Sequence, residues 1–575
     1  MRRILPLVVL VLFALGVLPV NASRMSRAQS GNQPAAGAAL SSVKEFKLEN
    51  GLTLLVIEKP DVTDVACYSV YNVGGCDEWA GVTGLSHFTE HLLFKGSTTI
   101  NAIDYAKEIP LLKYEDDVRA ALQLLEDDAR FLVESGRDVP LDMLKKIGAL
   151  RAEAVRVQGE LESLVRSDEF DNMFTAAGGA SLNANTWMHR TMYMVTLPAN
   201  KLELFYWVEA DRLSNAVFRQ FYKERDVVLD ERLRSVENLS SGRIFESALA
   251  SISEGCTLGS PVLGWPSDMR RYTRPQQLAF WRTFYRPDNA AIVLVGKVDA
   301  GEALSLAKRY FGAIPRPETE LPRRVKRNEN PVGRRKFVGH HDSTPQVALA
   351  WSTPGAADAH YVPLDMLARL LNLQSGPLHK RLVDTSKAEG VGVSFYGSKE
   401  SGMFVIVAVP MAGVSLESIQ KEMEQLLEEV RLGGILKEDF ESARSQIIVE
   451  QTAILEQSEN LASLLCESFA NGDWRALFEN NVRAASLTVD DLARSASAAL
   501  PANHATLLLA LKSDSNVPAT PPLLEIPGVP EAGTDTVEIA RAAIAEAEKR
   551  FDADHFEARQ WYDGLAARAI YRQAR

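Results

Sequence analysis

His87 and His91 stand four residues apart, with Glu90 between them, in the run Gly84-Leu85-Ser86-His87-Phe88-Thr89-Glu90-His91-Leu92-Leu93-Phe94. On a helix, residues four apart lie one turn above each other, and Glu90 at three from His87 leans to the same side. Two neutral imidazoles at that spacing suit Zn²⁺, and a carboxylate beside them that is not a ligand suits a general base taking a proton from water. Two histidines leave such a site incomplete. A carboxylate on a second helix would complete it, and the candidate is Glu231, in the charged stretch Phe221 to Arg232. Glu224 lies seven residues earlier, about two helical turns, so both carboxylates can point to one side. One of them could bind metal while the other orients a ligand or water. Without a metal, the pair would be a solvated acidic face.

The order H-x-x-E-H is a signature of the inverzincin zinc peptidases. Together with Gly75-Cys76-Asp77-Glu78, Gly81 and Gly84 ahead of the motif, and the Glu224 and Glu231 pair behind it, the chain resembles the pitrilysin and insulinase (M16) family of zinc metallopeptidases, in its mitochondrial-processing-peptidase-like bacterial branch. The resemblance implies one Zn²⁺ held by His87, His91 and Glu231, with Glu90 as the base and Glu224 supporting the site. Between the two motifs, Asn183-Ala184-Asn185-Thr186 followed by Thr191-Met192-Tyr193 is similar to the family's substrate-binding strand. It implies that Asn183 and Ala184 pair with an extended peptide, an added strand held through its main chain.

These residues need a scaffold, and the chain supplies one in two related parts. Asn50-Gly51 between the apolar runs 46–48 and 52–56 is a hairpin signal. A strand over Val65 to Val73 leads into the motif helix, and Pro287-Asp288-Asn289 precedes a buried strand ending near Lys297. Pro501-Ala502-Asn503 and the apolar run to Lys512 repeat that design roughly 210 residues on, the spacing of two duplicated domains rather than of a solenoid. The expected class is α+β: two homologous domains, each a mainly antiparallel sheet with helices packed on one face. We place a catalytic domain over residues 43–315, a Pro- and Arg-rich linker over 316–336, and a second, metal-free domain over 337–513. That second domain opens on the strand Gln346 to Trp351 and holds helices over Leu416 to Val430 and Lys437 to Gln457.

Residues 111–168 exceed the family's usual length, and their apolar positions recur at three and four. They read as an inserted helical hairpin, an antiparallel coiled coil turning at Gly136 to Pro140, with its role left open between partner docking, a lid and a passive outgrowth. Residues 514–575 read as a Pro-rich linker and a helical tail that packs on its own domain or on a partner.

Met1-Arg2-Arg3, the apolar run Ile4 to Val20 and the small residues after it form a signal-peptide pattern over residues 1–23, with a polar tether over 24–42. The expected protein is exported, periplasmic in a bacterium, with no stable membrane span once the leader is cleaved. A chain of 575 residues, 46% hydrophobic, has enough apolar material for two or more cores, and a net charge of −12 argues against nucleic acid as a partner. Four scattered cysteines form no metal-ligand pairs.

The second domain carries no H-x-x-E-H. The family places there an arginine, and about seven residues later a tyrosine, that grip the substrate carbonyl. Here Val383 falls at the arginine, and Arg381 and Tyr396 are wrongly spaced. The expected activity is therefore a zinc metalloendopeptidase acting on peptides or unfolded segments, with a paralogous subunit lacking the zinc motif supplying the Arg/Tyr pair in a heterodimer. A homodimer is also possible. A non-catalytic assembly or processing subunit with a structural zinc is the alternative.

Overall fold

The computed structural model describes residues 40, 42–253, 259–322, 333–341, 344–513, 524–531, 533 and 535–554. The expected leader and tail residues 555–575 lie outside these.

Strands β1 (Val43–Lys47) and β2 (Thr53–Glu58) pair antiparallel across the Asn50-Gly51 turn, where Gly51 takes φ +95°. Asn50 does more than turn the chain: its amide donates to the carbonyls of Phe311 and Ile314, at 2.8 and 2.9 Å. With β3 (Asp64–Tyr71), β4 (Ala180–Thr186), β5 (Thr191–Pro198) and β6 (Ala290–Gly296) they form a sheet in the order β1-β2-β6-β3-β5-β4. Strand β6 is buried at all seven positions, as a strand covered on both faces must be.

One face of this sheet packs on helices of its own half. These are α1 (Leu85–Leu92), α2 (Leu202–Asn215), α3 (Phe221–Arg232), α4 (Arg274–Phe284) and α5 (Ala300–Phe311), around Leu54, Val56, Cys67, Tyr193 and Leu294.

The second sheet runs β7 (Arg335–His341), β11 (Thr506–Lys512), β8 (Gln346–Pro354), β10 (Ser401–Pro410), β9 (Ala388–Gly397). Its β7-β11-β8-β10-β9 repeats the order and directions of β2-β6-β3-β5-β4: one parallel pair, then antiparallel pairs. The two Pro-x-Asn strands, β6 and β11, occupy the same place in each, which is the duplication expressed as topology. Strand β7 carries no clear period-two pattern and is a strand that sequence alone did not pick out. The helices Leu416–Arg431 and Lys437–Glu456 match their expected spans closely.

The two halves exchange a helix. Helix α6 (Ser240–Ile252) leaves the first half and lays Ile244, Ala248, Leu249 and Ile252 against Ala348, Ala350, Val405 and Leu508 of the second sheet. Helix α7 (Ser458–Ala470) returns the contact, setting Leu461, Ala462, Leu465 and Cys466 against Leu55, Ala66, Val70 and Val293 of the first. Each sheet thus has its own helices on one face and a borrowed helix on the other. Burying both faces removes apolar area from water at about 25 cal/mol per Å² and makes neither half complete alone.

Residues 105–162 form two antiparallel helices, Tyr105–Glu134 and Leu141–Glu162, joined across the Gly136-to-Pro140 turn. Their seam is shared by a third helix, Thr536–Asp554, which buries Ala540, Ala543 and Ile544 against Val118, Ala121, Ile147, Leu150 and Ala154. The tail therefore packs on its own chain.

Candidate metal centre

Helix α1 begins where only glycine fits. Gly84 takes φ +91°, and a Cβ there would lie 2.6 Å from the Tyr272 hydroxyl and 2.7 Å from Gly264 Cα. The buried Glu78 carboxylate then caps the helix, accepting from Gly84 N at 2.5 Å and Ser86 N at 2.7 Å. Burial still pushes its pKa up to about 8. Phe88 anchors the opposite face, with ring centroids 4.9 Å from Phe221 and 5.4 Å from Tyr272, and Gln277 donates to the Leu85 carbonyl at 3.0 Å. This packing leaves His87, Glu90 and His91 grouped on the remaining side.

Helix α3 brings Glu231 to the two imidazoles. Its Oε1 lies 3.8 Å from His87 Nε2 and its Oε2 lies 3.3 Å from His91 Nε2. His87, His91 and Glu231 each offer a donor atom, all within 4.8 Å of one another, the one such group among the described residues. Metal bonds of about 2.0–2.1 Å at tetrahedral angles hold donors roughly 3.4 Å apart, close to the 3.8 and 3.3 Å that separate Glu231 from the two imidazoles.

Protonation tells the same story. Burial, then the neighbouring His91, lower the His87 pKa to about 4, keeping it a neutral donor. Burial also pulls on His91, but its bonds to Glu224 and Glu231 outweigh this and lift it to about 9. The carboxylates thus hold a cation at His91, where a metal would compete with the proton.

Glu224 Oε1 accepts from or faces His91 Nδ1 at 2.9 Å, and its Oε2 pairs with Lys95 Nζ at 2.6 Å. Burial opposes the Glu224 charge, but the His91 and Lys95 contacts prevail and hold its pKa below the usual value. Glu90 is not among the donors. It accepts a hydrogen bond from Thr186 Oγ1 at 2.6 Å, and burial, only partly offset by that bond, raises its pKa to about 7.

The sequence model described as the peptidase M16 inactive domain matches residues 271–447, a stretch that starts beyond the His/Glu cluster. The zinc protease PqqE of Helicobacter pylori is 28% identical over 379 residues, 62% of this chain and 84% of that protein. The probable mitochondrial-processing peptidase subunit beta of Schizosaccharomyces pombe is 24% identical, over 56% of this chain and 57% of that one. Among solved structures, a protease from H. pylori superposes with a TM-score of 0.67 at 21% identity, covering 81% of this chain and 99% of its own. The chain is thus similar to peptidases of the M16 family.

Strand β4 is the outer strand of the first sheet, and its open edge has no strand partner among the described residues. Asn183 is exposed on it, its Oδ1 accepting from Ala184 N at 2.9 Å, while the Ala184 side chain is buried in the core. Three residues of the site were not assigned from sequence. Thr186 sits inside the Asn-Ala-x-Thr element and so was visible without a role. Lys95 is one turn beyond His91, and that spacing was its signal. Glu78 acts through backbone amides, which no side-chain pattern announces. In the second half, Arg381 pairs with Glu429 at 2.6 Å, and Tyr396 packs with Trp187 and Phe245 at centroid distances of 5.5 and 6.0 Å.

Proposed function

We propose that this chain is a zinc-dependent endopeptidase, with residues 43–315 as the catalytic domain and 337–513 as a metal-free domain. The observation that carries this reading is the convergence of His87, His91 and Glu231 on one point, with Glu90 beside it and bonded to the edge strand through Thr186.

His87, His91 and Glu231 would hold the ion, and Zn²⁺ bound there supplies a Lewis acid that polarises an amide carbonyl and acidifies water. Glu90 takes the proton from the attacking water and hands it to the departing amine. Thr186 occupies Glu90 Oε2, which leaves Oε1 for that proton. Glu224 fixes the His91 ring through Nδ1 and so directs Nε2 toward Glu231. An extended peptide lies along β4 at Asn183 and Ala184, bonded by its backbone.

The Arg/Tyr pair comes from a paralogous subunit. Arg381 is engaged by Glu429 and Tyr396 by an aromatic cluster, which supports the reading that this half offers neither. Export, to the periplasm in a bacterium, belongs to the same proposal. No helix of the described residues is long and apolar enough to cross a membrane.

The test is zinc content together with hydrolysis of a mixed peptide pool by wild type and Glu90→Gln, each alone and with candidate partner subunits. About one zinc per chain and turnover that needs both Glu90 and the partner is the expected result. Zinc without turnover in any pairing would replace it with the scaffold reading.

A further inference from the structure

The turn between β4 and β5 is held from the other half of the molecule. Trp187 to Arg190 close it, Trp187 N donating to Arg190 O at 2.8 Å, and the carbonyls of Trp187 and Met188 accept from Gly75 N at 3.2 Å and Cys76 N at 2.7 Å. Arg190 is buried, and its guanidinium donates in two directions: Nη1 to Asn185 Oδ1 on β4, and Nε to Glu467 Oε2 on α7. The second oxygen of Glu467 lies 2.9 Å from Nε2 of the buried His189. Glu467 therefore meets the two consecutive residues that end the turn, one with each oxygen. Asn185 precedes Thr186, which holds Glu90.

We propose that Glu467 is a positioning residue for the substrate edge: from the metal-free half, through Arg190 and Asn185, it fixes the end of β4 along which the peptide lies. This rests on the reading of β4 as the peptide-binding strand. The helix exchange gives it a physical reason. A strand at a sheet edge is held on one side only, and here the missing restraint is a buried charge-assisted bond carried on a borrowed helix. Because the link ends on Asn185 and Glu90 keeps its own bond from Thr186, its loss weakens binding more than chemistry.

The experiment compares the full zinc-loaded chain, with its partner where pairing is needed, as wild type, Glu467→Gln, Asn185→Ala, the double variant and Glu459→Gln. Glu459 is the control: it sits on the same helix and accepts from Thr196 on β5 at 2.5 Å, away from the link. KM for an extended peptide should rise roughly tenfold in Glu467→Gln and Asn185→Ala, with no further rise in the double variant and kcat within about twofold. Hydrogen exchange read in parallel should show faster β4 amides with α7 still protected. Unchanged KM and unchanged β4 protection would overturn the proposal, as would an equal KM rise in Glu459→Gln. If wild type hydrolyses nothing, the peptidase reading falls, and hydrogen exchange alone decides: loosened β4 amides keep Glu467 as the anchor of that strand, and unaltered ones remove it.

Discussion

Glu224 holds His91 by Nδ1 at 2.9 Å, and Lys95 holds Glu224 in turn at 2.6 Å. A ring so fixed has one direction for Nε2, the atom turned to Glu231. Replacing Glu224 by Gln keeps the shape and removes the charge, so zinc affinity should fall about 10- to 100-fold, with a smaller loss in Lys95→Met. Competition against a chromophoric chelator measures both. Equal affinity in wild type and Glu224→Gln would separate Glu224 from the metal site.

Thr186→Val removes the donor to Glu90 while keeping the side chain's volume and branching. The carboxylate is then free to rotate, and kcat should fall by about one to two orders of magnitude with zinc content unchanged. Steady-state kinetics beside metal analysis checks this, and a variant with full kcat would show that Glu90 needs no such hold.

The signals that were legible in sequence were local ones. His87, Glu90 and His91 share one turn of helix, and Asn50-Gly51 and Pro287-Asp288-Asn289 are turns written in adjacent residues. The approach of Glu231 to His91 is long-range: the charged stretch made Glu231 a candidate, and the family resemblance singled it out. What stayed hidden depends on partners far apart in the chain. No periodicity of residues 458–470 could show that Leu465 faces Val293 of the other half. The hairpin's seam was correctly apolar, but the third helix supplying Ala543 to it lies nearly 400 residues away.

The hairpin is bolted into the site's foundations. Buried Arg219, two residues before α3, is met by buried Glu108 at 2.7 Å, and buried Arg274 is met by Asp116 at 2.6 Å and by Glu115. Tyr222 on α3 also donates to Asp116 at 3.0 Å. Removing one partner of a buried pair costs about 3–5 kcal/mol. Excising residues 111–168 would strip Arg274 of its carboxylates, so the deletion should fail to yield soluble protein, and Glu115→Ala should unfold at markedly lower denaturant. A stable, zinc-binding deletion would return the hairpin to the status of a passive outgrowth.

Gly148 is a contact for the tail. A Cβ there would meet the Pro530 carbonyl at 2.6 Å, closer than packing allows. Gly148→Ala should therefore displace the segment 524–531 and cost about 1–3 kcal/mol, even though alanine is the better helix former. Limited proteolysis should cut the variant between the second sheet and the last helix sooner than wild type. Unaltered cleavage would mean that the tail is held by its helix alone.

Acid should loosen the joint between the halves. Burial opposes the Glu467 charge, but Arg190 and His189 prevail and hold its pKa far below the ordinary 4.5. Its folded pKa is depressed, so the stabilisation is fully present above pH 4.5 and is lost as pH falls from there toward the folded value. In Glu467→Gln that loss has already occurred: stability at neutral pH should drop by on the order of 1–3 kcal/mol, and the decline between about pH 5 and pH 3 should be shallower than in wild type. Urea unfolding at a series of pH values reads both. Parallel curves for the two proteins through that range would show that Glu467 is not charged against Arg190 in the folded state.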